Sequence, residues 1–179
     1  MKRILIMSMF LSLAISLVSQ DFPTPPQNGF SFPIGTKFTL KLIPTDSVNF
    51  DCSVIAYEPF QEVINSRDYD HLFATPGEDD TIEFYFCLGT HGKTDEEKEK
   101  KMQVFLLLKN FSPHFLEYNT DMQLEEDGEY ISTSNIGAFP NVLSSERWPH
   151  FIYMIGMHGF KKHDLDAKMK AAKQESSSK

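Results

Sequence analysis

Chemistry in a chain of 179 residues is sought first among its few reactive side chains: two cysteines, six histidines and clustered acids. Cys52 and Cys87 are the only sulfhydryl pair. Two readings compete for them. A thiol nucleophile would need an activated thiolate, with Cys87 standing four residues before His91. A disulfide needs only an oxidising compartment, and closing a loop of this length would contribute about 3–4 kcal/mol on the chain-entropy model. The leader described below favours the disulfide, so a Cys52–Cys87 bridge is the expectation. Face parity argues the other way: Cys52 lies on the apolar face of its segment, whereas Cys87 shares a face with Glu83 and Tyr85.

The histidines are His71, His91, His114, His150, His158 and His163. A zinc site wants three or four ligands converging at about 2 Å. His158 and His163 are five apart, and His150 and His158 would be roughly 26 Å apart on a straight strand. Neither spacing matches the i, i+4 pair of a helical metalloprotease motif, so no metal and no cofactor is expected. Gly89-Thr90-His91-Gly92-Lys93-Thr94 imitates a phosphate-binding loop, but the position five before Gly92 is Cys87 and not glycine. A turn leaving a strand fits better. Glu78-Asp79-Asp80 and Glu125-Glu126-Asp127 lack the staggered spacing of a calcium loop and read as turns. No Gly-x-Ser-x-Gly elbow is present.

Two surface candidates remain. Glu96, Glu97 and Glu99 lie in Lys93–Lys101, a run with four acids against four lysines, which reads as a solvated loop or short exposed helix. Asn135 to Phe151 has little periodicity but carries Phe139, Arg147, Trp148 and Phe151. Such a segment either plugs one end of the fold or offers an aromatic binding surface.

The elements that must position these residues are strands. Lys37–Ile43 alternates, with Phe38, Leu40 and Leu42 on one face. Phe50–Tyr57 continues in the same style. Thr81–Leu88 and Met102–Lys109 are continuous apolar runs, as expected of strands buried on both faces. Leu116–Leu124 has the cleanest period of two, and Glu125–Gly128 turns it back into Glu129–Ser134. His150–Met157 is the expected last strand. Seven short strands with turn signals predict an all-β, antiparallel sandwich, immunoglobulin-like in architecture only. Residues 34–163 form this domain, residues 20–33 a proline-rich extended lead-in, and residues 164–179 a charged C-terminal helix or tail.

Lys2 and Arg3 precede an apolar run from Ile4 to Val18, too short to span a bilayer and closed by Ser19 and Gln20. Residues 1–19 therefore read as a secretory signal peptide, and the chain as an exported, periplasmic or secreted protein with no membrane span after cleavage. Removing it leaves 15 basic residues against 25 acidic, so the net charge moves from −8 to −10. That balance argues against nucleic-acid binding, which depends on Lys and Arg neutralising phosphates. The expected function is a non-catalytic module binding a protein or cell-envelope partner. Two alternatives stay open. One is a hydrolase or metal-dependent enzyme in which His91, His114 or His158 meets an acid in one cleft. The other is a periplasmic inhibitor or immunity protein that presents Glu96, Glu97 and Glu99 to a basic cleft.

Overall fold

Alternation in the sequence becomes layering in space. A computed structural model describes residues 21–73 and 76–163; the expected signal peptide and the C-terminal helix or tail lie outside them. Ten strands run in order among the described residues: β1 (Gly29–Pro33), β2 (Thr36–Pro44), β3 (Phe50–Pro59), β4 (Ile64–Asn65), β5 (Thr81–Thr90), β6 (Gln103–Asn110), β7 (Leu116–Gln123), β8 (Tyr130–Thr133), β9 (Leu143–Trp148) and β10 (Met154–Lys162). A 3-10 turn at Asp70–Phe73 and the helix α1 (Asp95–Lys100) interrupt them.

The strands form two antiparallel sheets packed as an all-β sandwich. The larger has the order β3-β2-β5-β6-β9, with β4 pairing in parallel to the end of β5; the smaller has the order β1-β10-β7-β8. Between them Phe38, Leu40 and Leu42 of β2 meet Phe32 of β1, Phe84 and Phe86 of β5, Leu106 and Leu108 of β6, and Ile155 and Met157 of β10. Phe32 stacks on Phe38 at 3.6 Å between centroids, and Phe38 on Phe84 at 4.9 Å. Each such ring removed from water stabilises the fold by about 1.5–3 kcal/mol.

A second, smaller core lies on the outer side of the larger sheet. Tyr85, Cys87, Phe105 and Leu107 pack there under Ile64 and Phe73. It explains the continuous apolar runs of β5 and β6: both faces of these strands are covered.

The expected disulfide is not formed, and the layering says why. Cys52 belongs to the core between the sheets, Cys87 to the core outside the larger one, and both thiols are free and buried. Cys52 lies opposite Leu42 on β2, whereas Cys87 follows the Phe86–Thr36 pair at the other end of that strand. Seven residues along β2 and two strand spacings separate the cysteines by roughly 25 Å. A bridge needs Cα atoms within about 7 Å. Parity carried the correct signal.

Three further segments differ from their expected form. Part of the lead-in is β1, and residues before it run beside β3: the Thr24 amide donates to the Val54 carbonyl, and Gln27 and Cys52 exchange two amide bonds at 2.8 Å. This closes the β3 edge. Asn135–Phe151 contains the strand β9, paired with β6 from Lys109–Leu143 to Val104–Trp148. The last strand begins at Met154, four residues later than expected, and carries a bulge between His158 and Lys161. Gly159, at φ 67°, sits in that bulge, where a Cβ would stand 2.9 Å from the Asn119 amide.

Candidate functional site

The outer face of the smaller sheet gathers the titratable side chains. On β7 the inward residues are Leu116, Tyr118, Thr120 and Met122, so Glu117, Asn119 and Asp121 point outward. Glu117 Oε1 lies 2.5 Å from His163 Nδ1, and its Oε2 3.3 Å from Lys161 Nζ. These groups line a groove of about 400 Å³ with Phe115, Asn135 and Gly159. Further along, Asp121 Oδ2 lies 3.0 Å from His158 Nε2, and the Ser132 hydroxyl donates to Asp121 Oδ1 at 2.6 Å. This second group borders a groove of about 570 Å³ that also includes Tyr130 and Ser31.

Serine, aspartate and histidine are thus together, but in the wrong order for nucleophilic catalysis. A serine nucleophile needs the imidazole as its base and the carboxylate behind it. Here Asp121 stands in the middle, and a carboxylate is a poor base for a serine hydroxyl. The two carboxylates fare no better as a glycosidase pair. Glu117 and Asp121 are four residues apart on one strand, about 13 Å, beyond the roughly 5–9.5 Å that such a mechanism uses. Among the described residues no three His, Cys, Asp or Glu side chains come together as metal ligands. Of the three histidines named for the enzyme alternative, His158 meets an acid, Asp121, in one groove, whereas His91 follows β5 and His114 packs on Phe50 in the turn after β6.

The aromatic segment is divided by β9. Phe139 lies before it and Phe151 after it, separated by a strand of about 17 Å. Trp148 is only 7% exposed and belongs to the core between the sheets. Arg147 points to the other face, its guanidinium 5.2 Å from the Phe105 ring centroid. Phe139 stacks on Phe115 at 4.1 Å, and Phe115 in turn packs on His163 at 4.4 Å. The four residues therefore form no single surface.

Glu96, Glu97 and Glu99 lie on α1. Thr94 caps it by accepting from the Glu97 amide, and Glu97 accepts from the Lys93 amide at 2.9 Å. That hydrogen bond, with Lys101 nearby, holds the Glu97 carboxyl below the usual carboxylate range. Glu96 pairs with Lys100 at 2.6 Å, and Glu97 with Lys101 at 3.6 Å. Two of the three acids are thus matched by lysines on their own helix.

A different feature emerges on the side of the sandwich bounded by β8 and β9. The opposite side is closed by Thr24 and Gln27 bonding along β3; here β8 and β9 end their sheets, and residues 138–141 bond to Leu116 and Asn110 across part of the side. Ile131 pairs with Met122 and so faces inward, yet it is 49% exposed. Ten large apolar side chains stand exposed among the described residues, and five of them fall between 130 and 142: Tyr130, Ile131, Ile136, Phe139 and Val142. They do not share one face: Tyr130 lies with Ser132 on the outer face of β8, Ile131 points the other way, and Phe139 stacks on Phe115.

Beside Ile136 one carboxylate enters the otherwise apolar layer between the sheets. Glu146 shares the inward face of β9 with Ser144 and Trp148, opposite Leu106. Its Oε1 accepts from the Ile136 amide at 3.1 Å, while burial pushes its carboxyl up. The Tyr118 hydroxyl is buried without a hydrogen-bond partner among the described residues. Burial, then the charge of Glu146, raises its pKa. The sequence hid this site because Glu146 and Tyr118 lie on strands of different sheets, and β9 reads as loop. The one available signal was the inward parity of Tyr118 on β7. No protein-family model, curated protein or solved structure matches this chain.

Proposed function

We propose that this chain is an exported, non-catalytic β-sandwich that binds a partner protein along its β8–β9 side. The observation that carries the reading is the exposure of Ile131 and Ile136, 49% and 60%, on and just after the edge strand β8. An apolar edge of this kind suits docking of an extended segment, because the outer backbone groups of an edge strand are free to pair. Export is supported by Lys2, Arg3 and the apolar run to Val18. The order of Ser132, Asp121 and His158 favours binding over hydrolysis.

An I131D/I136D double variant tests the docking side. Ile136 is 60% exposed and Ile131, though inward, 49%, so the double variant should keep its fold at a cost of about 1–3 kcal/mol, checked by circular dichroism. In the native host the wild-type chain should run in a complex well above the mass of the cleaved chain, and the variant as a monomer. A complex unaffected by both aspartates would refute the assignment, as would a wild-type complex made only of a second copy of this chain. N-terminal sequencing of the exported product should begin at Gln20; an intact Met1 would contradict cleavage.

A further inference from the structure

We propose that the outer face of the smaller sheet binds a neutral saccharide, stacked on Tyr130 and hydrogen-bonded to Asp121, His158 and Ser31. This site is separate from the docking side, since Tyr130 and Ile131 follow one another on β8 and point to opposite faces.

The site is built on one row of paired residues. Ser31, Gly156, Asp121 and Ser132 lie opposite one another across β1, β10, β7 and β8, on the face away from the core. Gly156 is the one member without a side chain. No backbone presses on it: a Cβ there would stand 3.8 Å from the Asp121 carbonyl oxygen, 3.1 Å from Ser31 Oγ and 3.6 Å from Tyr130 Cε1. Glycine inside a strand weakens it and often marks a close approach. What approaches here is the Tyr130 ring, which starts on β8 and reaches β10, its hydroxyl 3.9 Å from Met154 Sδ. The ring therefore lies across the sheet with Gly156 as its seat, and its 47% exposure leaves one face to solvent.

Beside this platform runs the groove of about 570 Å³, a volume in the range of small-molecule sites. Charge narrows the class of ligand. No lysine or arginine is among the described residues that line the groove, which disfavours an anion. Its carboxylate, Asp121, is met on both oxygens, by His158 Nε2 at 3.0 Å and the Ser132 hydroxyl at 2.6 Å, so no further cation is required.

Hydrogen bonding narrows it again. Each Asp121 oxygen keeps a further lone pair, and a carboxylate held from both sides is a strong, fixed acceptor for a hydroxyl. Ser31 adds an exposed hydroxyl that both donates and accepts. A sugar ring carries hydroxyls that match these groups, and its C–H face packs on an aromatic face. Neutral polarity and a stacking surface are thus combined in one ligand.

The test applies the full exported chain to an array of neutral, sialylated and sulfated oligosaccharides, and then titrates it with the methyl glycoside of each captured sugar by amide NMR. The expected result is capture by a subset of the neutral members, with saturable shifts at residues 29–31, 130–132 and 156–158 and roughly millimolar affinity for a single sugar. Equal affinity for the glycoside and a longer chain supports a free sugar as ligand, and affinity that rises with length supports a polysaccharide. Y130A and D121N should each weaken binding about tenfold, whereas Y130F, which keeps the ring, should stay within about threefold. Tyr130 is exposed at a sheet edge, so Y130A keeps the fold, as circular dichroism checks. Capture of charged members alone, no capture at all, undiminished binding by Y130A and D121N, or shifts confined to the Glu117–His163 groove would each overturn the proposal.

Discussion

Replacing Tyr118 by phenylalanine should make the free protein more stable. The phenol oxygen is buried with no hydrogen-bond partner among the described residues, and its ring stacks on Phe160 at 5.0 Å between centroids. Phenylalanine keeps the stack and discards the stranded hydroxyl. Burying a hydroxyl without a partner costs about 1–3 kcal/mol on mutational scales. Taking the lower part of that range, because Glu146 leaves the surroundings partly polar, Y118F should gain about 1–2 kcal/mol. Unfolding entropy near 2.1 cal/mol/K per residue, over the roughly 140 described residues, converts this to a rise in Tm of roughly 3–7 °C. Differential scanning calorimetry of both proteins at pH 7 reads it directly. A Tm that falls by a similar amount would refute the reasoning, since it would mean that the hydroxyl is satisfied in the folded protein.

Other outcomes follow from the same geometry. Burial pushes the thiols of Cys52 and Cys87 up to about 12 from an ordinary value near 9. The unfolded chain therefore releases these protons first, binds fewer of them above pH 9, and stability must fall as pH rises, by up to about 1.4 kcal/mol per pH unit for each thiol. Denaturant melts between pH 8.5 and 10 should show this fall in wild type and a flatter profile in C52A/C87A; a flat wild-type profile, or a mass two hydrogens light, would restore the disulfide. N110A should cost about 2–4 kcal/mol by urea midpoint, because its amide group donates to the carbonyls of His114 and Ala138 and accepts from the Ser112 amide in a fully buried site. F84A should cost about 3–5 kcal/mol through the cavity left beside Phe38, and a loss below 1 kcal/mol would mean that the stack collapses to fill it. G159A should destabilise by roughly 1–2 kcal/mol, since alanine resists a φ of 67° and its Cβ would press on Asn119.

Period-two alternation made β2 and β7 plain to see, because each has one face on the core and one toward charge or solvent. The unbroken apolar runs of β5 and β6 were equally legible as strands covered on both faces. What covers the second face was not: Ile64 and Phe73 belong to short elements without periodicity. Strand β9 escaped because Leu-Ser-Ser-Glu-Arg-Trp has little strand propensity, and its edge position is set by pairing with β6. Strand β1 escaped for another reason. Prolines mark an extended chain without saying whether it joins a sheet, and Gly29–Pro33 does so at an edge, where missing amide donors are tolerated. The disulfide expectation failed because compartment was weighed above parity. Glu83, Tyr85 and Cys87 share an outward face, which Cys52 on β3 has no route to reach. Of the aromatic candidates, Phe139 stacks on Phe115, while Trp148 fills the core between the sheets.

The most direct measurement places a photo-cross-linking amino acid at position 131, and separately at Asp51 on the β3 side, in the chain expressed in its native host. Irradiation should join position 131 to a distinct partner protein and leave position 51 unlinked. Equal labelling from both positions, or no adduct from position 131, would contradict docking along the β8–β9 side.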